Sequence, residues 1–184
     1  MGRVEQLAKK FEEHISLPWS RNLAPSERTL FVVYPKEEER RLRAKREMFQ
    51  QASEKAGHGW ESLDLDNAFP EWMASQEYAA DYFAYPEDLR QKLESDFTAY
   101  AAAMISALLD RSTDSGVVGV FGVGTLFGFA RASSVLKQIE VHIPGRLVLF
   151  FPGTYDKNVF HLLDARDGWG YMSLPITLNE VSYT

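Results

Sequence analysis

The sequence predicts an α/β fold: a mainly parallel sheet of about four strands flanked by helices, with a C-terminal β-hairpin. Three observations carry this. Val117 to Val123 (VVGVFGV) and Leu147 to Phe151 (LVLFF) are apolar without alternation, as strands buried on both faces are. A helix-like segment from Thr125 to about Glu140 separates them and makes a β-α-β unit. Upstream, apolar runs and helical repeats alternate again. No internal repeat, low-complexity tract or linker interrupts the 184 residues, so 1–184 reads as a single domain.

The elements follow in order. Val4, Leu7, Phe11 and Ile15 recur at helical spacing and predict a short amphipathic helix over residues 3–15. Leu17-Pro18 ends it, and Trp19 in the loop beyond is expected to fill a gap in the core. TLFVVY (Thr29 to Tyr34) is the first strand, closed by Pro35. The run from Pro35 to Gly57 reads as one long helix, with three glutamates in its first turn and glycine at its end. Glu37–Arg41 and Glu39–Arg43 stand at i,i+4 spacing on it. WESLDL (Trp60 to Leu65) is a second, short strand suited to a sheet edge. A helix capped by Asp66 or Asn67 follows, then one starting at Tyr85-Pro86 with Leu89, Leu93, Phe97, Met104 and Leu108 in repeat. After the central unit, TYDKN is a turn, and VFHLLD and YMSLPITL are strand-like runs joined by a polar loop, which suggests an antiparallel hairpin.

Composition excludes several classes of function. There is no cysteine, which removes disulfides, thiolate catalysis and Cys-ligated zinc. The first residues, MGRVEQLAKKFEEH, lack the apolar stretch of a signal peptide. No apolar run reaches membrane-spanning length, so a soluble, cytoplasmic protein is expected. The net charge of -6 is unevenly spread, with residues 1–56 at +3, residues 57–116 at -9 and the remainder neutral. Only Arg40–Arg46 offers a basic patch, and glutamates interleave with it, which disfavours direct DNA binding.

Several residue patterns invite a functional reading, and each has a structural alternative. Gly122, Gly124 and Gly128 follow a strand and precede a helix, where free N–H groups could meet an anion. Their spacing is neither the dinucleotide fingerprint nor a phosphate-binding loop, and no acidic residue closes the next strand to hold a ribose. Arg131 is the one charge in the first half of the expected helix. It is expected to be partly buried and paired with Asp156, Asp164 or Asp167. His58 with Asp64 and Asp66 is too thin a constellation for a hydrolase, so no catalytic residue, metal site or cofactor is expected. Six aromatics crowd residues 69–85, set in the most acidic third of the chain. Phe69, Trp72, Tyr78 and Tyr82 among them are candidates for a partner-binding face. Asp164, Arg166, Asp167 and Trp169, in the LLDARDGWGY turn, are candidates for a second.

Taken together, FGVGTLFGFAR, RLVLFFPGTYDKN, LLDARDGWGYMSLPI, ERRLRAK and AGHGW resemble the BrxB-like family of bacterial phage-defence (BREX) proteins. The resemblance covers nearly the whole chain and is strongest from Val117 to Ile176. Two departures mark a divergent branch. Ala132-Ser133 follow Arg131 where many members have Ser-His. Leu163 to Trp169 stand where members often have Phe-Gly and paired tyrosines. The resemblance implies a small α/β protein with no assigned catalytic activity. It also implies partners: a PglZ-type protein of the alkaline phosphatase superfamily, a BrxC-type ATPase and a methyltransferase. The expectation is a non-enzymatic adaptor in a defence assembly. The alternative is a nucleotide- or anion-binding regulatory domain using the Gly122–Gly128 loop.

Overall fold

The computed structural model describes residues 1–178. Helix α1 (Arg3–Ile15) buries Val4, Leu7, Ala8, Phe11 and Ile15 on one face, as its repeat requires. Strand β1 (Thr29–Tyr34) is buried at every residue. Alternate side chains enter opposite cores. Leu30, Val32 and Tyr34 pack with α1, while Phe31 and Val33 pack on the other face.

The expected long helix is divided. A 3-10 turn (Lys36–Glu38) leads into α2 (Glu39–Ala44), and α3 (Glu47–Lys55) follows after a break at Lys45-Arg46. Both pieces lie on the α1 face through Leu42, Phe49 and Ala52. Strand β2 (Gly59–Asp64) lies at one sheet edge and is only partly covered.

Helices α4 (Ala68–Ala74) and α5 (Ala79–Ala84) follow. Next, α6 (Leu89–Lys92) passes through a π-turn (Leu93–Phe97) into α7 (Thr98–Leu109). Thr98 Oγ1 donates to the Leu93 carbonyl at 3.0 Å inside this turn. The buried face then runs Phe97, Ala101, Ile105 and Leu109, with Met104 and Leu108 at its flank.

Strand β3 (Gly116–Phe121) ends in Gly122, whose φ of 73° is left-handed. Here the expected helix starts later than its apolar pattern suggests. A 3-10 turn (Val123–Leu126) and a loop carrying left-handed Gly128 come first, and α8 runs only over Ala132–Ile139. Arg131 is the residue before α8, not a residue inside it.

Strand β4 (Arg146–Asp156) runs straight through Pro152-Gly153. It turns at Lys157-Asn158, both with positive φ, into β5 (Val159–Leu162). That pair of torsions is the two-residue hairpin turn that matches strand twist. The C-terminal hairpin is therefore β4–β5, with the short β6 (Trp169–Gly170) added antiparallel to β5. The final run goes elsewhere: β7 (Leu174–Ile176) joins β1 in parallel instead of pairing with Val159–Leu162.

The main sheet has the order β2-β3-β4-β1-β7, parallel throughout. One face carries α1 and α3; the other carries α4, α7 and α8. Parallel strands covered on both faces leave two ends open for a site, one at the strand starts and one at the strand ends.

Candidate functional site

The strand ends bring together residues far apart in sequence. Tyr34 closes β1 and donates its hydroxyl to Glu39 Oε2 at 2.5 Å. Arg43, one turn further along α2, donates to Glu39 Oε1 at 2.7 Å, Asp64 Oδ2 at 3.0 Å and Asp66 Oδ1 at 2.6 Å. Asp64 is the last residue of β2, so the cluster ties the edge strand to the crossover that leads into it from β1. Burial opposes the charge on Arg43, but hydrogen bonds to Asp66 and Glu39 outweigh it and hold the guanidinium charged. Burial, and then the charge of Glu39, push the Tyr34 hydroxyl well above the usual phenol range. Three carboxylates converge on one cation, and Arg43 occupies the space between them. Among the described residues no group of three or more His, Asp or Glu could hold a metal ion.

His58 stands just before β2 and Asp64 ends it. A strand of this length separates them by roughly 20 Å. The histidine and the two aspartates therefore lie at opposite ends of the strand and form no constellation. Both ring nitrogens of His58 instead face carbonyl oxygens, those of Ser115 and Ile15, each at 3.1 Å.

The glycine loop divides into two parts. Gly122 and Gly124 are packed at the end of β3, Gly122 against Asp64 and Asp66 and Gly124 against Pro152. Gly128 faces open space and, with Arg131, lines two clefts. One, of about 580 Å³, adds Glu94, Thr98, Phe129 and Ser134. The other, of about 250 Å³, adds Phe127, Asp167 and Trp169. Arg131 is exposed and forms no ion pair among the described residues, so the expected partial burial and pairing with Asp156, Asp164 or Asp167 are not found. Asp164 pairs with Lys36 instead. Arg166 and Asp167 are exposed. Trp169 is half-buried against Phe31, Phe151 and Phe160, with its indole N–H unpartnered.

The acidic aromatic stretch also divides. Trp72 is core, 4% exposed and packed on Phe97. Phe69 is half-buried and stacks on Phe129 at 4.0 Å, and Tyr82 leans on the same core. Tyr78 is exposed, and so are two aromatics outside the candidate set, Phe83 and Tyr85. Helix α5 buries none of its residues. Its surface mixes Tyr78, Phe83 and Tyr85 with Glu77, Asp81, Glu87 and Asp88. Spacing alone does not separate Phe83 from its core neighbours, because α5 is a helix of only six residues between breaks.

No helix of the described residues is long and apolar enough to cross a membrane. No curated protein and no solved structure matches the chain. The family model of the BREX protein BrxB matches residues 63–172, from the end of β2 to just past β6. That span holds Asp64 and Asp66, the whole acidic aromatic stretch, the glycine loop and Arg131. It is more than half of the chain, and the chain belongs to the BrxB family.

Proposed function

We propose that the protein is a non-enzymatic adaptor of a BREX phage-defence assembly, binding a PglZ-type partner through the surface of α5 and its flanks. One observation carries the reading. Phe83 is 71% exposed and Tyr85 60% exposed, on a segment that contributes no buried residue of its own. Exposed aromatics gathered in a patch favour a protein interface over a stability role. The surrounding Glu77, Asp81, Glu87 and Asp88 fit a partner that presents basic residues around an apolar centre. A BrxC-type ATPase or a methyltransferase would meet the assembly through other contacts, for which Asp164, Arg166 and Asp167 are the exposed charges at hand.

The test is co-expression of the tagged protein with the defence proteins encoded beside it. Recovery of the PglZ-type protein with the native chain, and its loss with Phe83→Ser and Tyr85→Ser together, supports the reading. Turnover of a nucleotide or phosphoester by the isolated chain contradicts it. The alternative, a nucleotide- or anion-binding loop, retains only Gly128 and Arg131, since Gly122 and Gly124 are packed against side chains.

A further inference from the structure

Arg146 opens β4 at the strand-start end of the sheet, opposite the glycine loop. It is 7% exposed, yet it pairs with no carboxylate among the described residues. Its Nη1 donates to the Gly145 carbonyl at 3.0 Å, and its guanidinium lies 4.4 Å over the Trp19 indole. That accounts for one of five N–H donors. The charges that act on Arg146 most, those of Arg28 and of His14 when protonated, have the same sign. Arg28 donates to the carbonyls of Ile143 and Arg21. Burial, followed by the Arg146 charge, lowers the pKa of His14. A buried cation without a counter-ion is costly. The half-buried cations Arg43 and Lys45 both have carboxylate partners.

A cleft of about 760 Å³ opens beside Arg146, walled by Trp19, Leu23, Tyr171, Met172, Ser173 and Leu174. The Ser173 hydroxyl on that wall is buried without a hydrogen-bond partner. Glu27 also lines the cleft, but its carboxylate accepts from the Ala24 N–H. The volume and the apolar, aromatic lining suit a small organic ligand. A cation without a carboxylate partner and a hydroxyl without a hydrogen-bond partner thus line one cavity, and an oxyanion is a group that either can bind. We infer that this cleft binds a small organic anion, a phosphate or carboxylate on an apolar or aromatic body, with Arg146 as its counter-ion and Ser173 as a hydrogen-bond donor.

Calorimetry and thermal shift on the full chain test this with four probes: AMP, adenosine, inorganic phosphate and phenylacetate. AMP or phenylacetate is expected to bind with Kd below about 1 mM. AMP alone would identify a phosphate ester, and phenylacetate alone a carboxylate. Adenosine, which lacks the anion, and phosphate, which lacks the body, are expected to bind at least tenfold more weakly. Arg146→Met is expected to weaken binding at least tenfold while circular dichroism shows native structure. Met172→Trp, at a rim residue that is 79% exposed, narrows the mouth without touching Arg146 and is expected to weaken binding as well. Should Arg146→Met fail to fold, the Met172→Trp result decides. Silence of the native protein toward both AMP and phenylacetate at 10-fold above about 1 mM overturns the inference. So does binding that the variants leave unchanged.

Discussion

Gly122 lies directly beneath the Asp64 carboxylate: a methyl group at position 122 would fall 2.5 Å from Asp64 Oδ1 and 2.8 Å from Asp66 Oδ1. The glycine that resembles a phosphate loop in sequence thus makes room for the ion cluster that joins β2 to α2. It also holds a left-handed torsion. Gly122→Ala is therefore expected to cost about 2–4 kcal/mol, from torsion and crowding together. Gly128→Ala has the torsional penalty but open space, and is expected to cost only about 1 kcal/mol. Urea unfolding of the two variants side by side checks the contrast. Equal losses would mean that the contact with Asp64 is unimportant.

Among the described residues Arg43 is the only cation in a cluster with Glu39, Asp64 and Asp66. The side chains are about one-third exposed, so solvent weakens the pairing. Arg43→Ala is expected to cost about 1–3 kcal/mol, chiefly by leaving three carboxylates facing one another. Asp66→Asn in the Arg43→Ala background is expected to restore part of that loss, because it removes one of the repelling charges. A further loss in the double variant would show that the aspartate acts through something other than the cluster.

His14 gives the stability a pH dependence of known sign. Burial first, and then Arg146, lower its pKa in the folded state below the ordinary 6.5. The folded protein therefore resists protonation more than the unfolded chain does. The stability is intact above about pH 6.5 and falls as pH drops through the folded-state value. Melting temperature measured from pH 7.5 downward is expected to decline on the acid side less steeply in His14→Gln than in the native protein. Identical profiles would remove His14 as the cause.

The π-turn at Leu93–Phe97 borders the 580 Å³ cleft through Glu94, next to Thr98. Thr98→Val removes the hydrogen bond to the Leu93 carbonyl and keeps the shape. With the residue 2% exposed, the loss is expected to be about 1–2 kcal/mol. A neutral result in thermal unfolding would mean that the turn is held by packing alone.

Much of this fold is legible in the sequence, and the legible parts share a cause. β1, β3 and the first half of β4 are buried on both faces, so their apolar runs have no alternation to misread. The helix of residues 3–15 shows its face because α1 touches the core along one stripe. The structure departs from the pattern where local pattern competes with backbone chemistry. The apolar character of residues 125–131 suggested helix, but Gly128 takes a left-handed torsion and delays α8 to Ala132. The Glu39–Arg43 pair could be read from its spacing, whereas Arg41 turns to Glu38 across three residues. The parallel pairing of Leu174–Ile176 with β1 depends on a partner more than a hundred residues earlier, which no local pattern reports. The candidate sites were less legible still. Arg43 meets Asp64 and Asp66, and Trp19 meets Arg146, only through the sheet order. Exposure separated Phe83 and Tyr85 from Trp72, although all three look alike as aromatics in an acidic stretch.

The adaptor reading rests on the surface of α5, and the most direct test is affinity purification from a host that carries the complete defence system. The tagged native protein is compared with the Phe83→Ser, Tyr85→Ser double variant. Both residues are exposed, so melting temperatures are expected to agree within about 2 °C. Stoichiometric recovery of the PglZ-type protein is expected with the native chain, and at least a tenfold loss with the variant. Recovery of the native chain alone, or undiminished recovery with the variant, would contradict the adaptor reading.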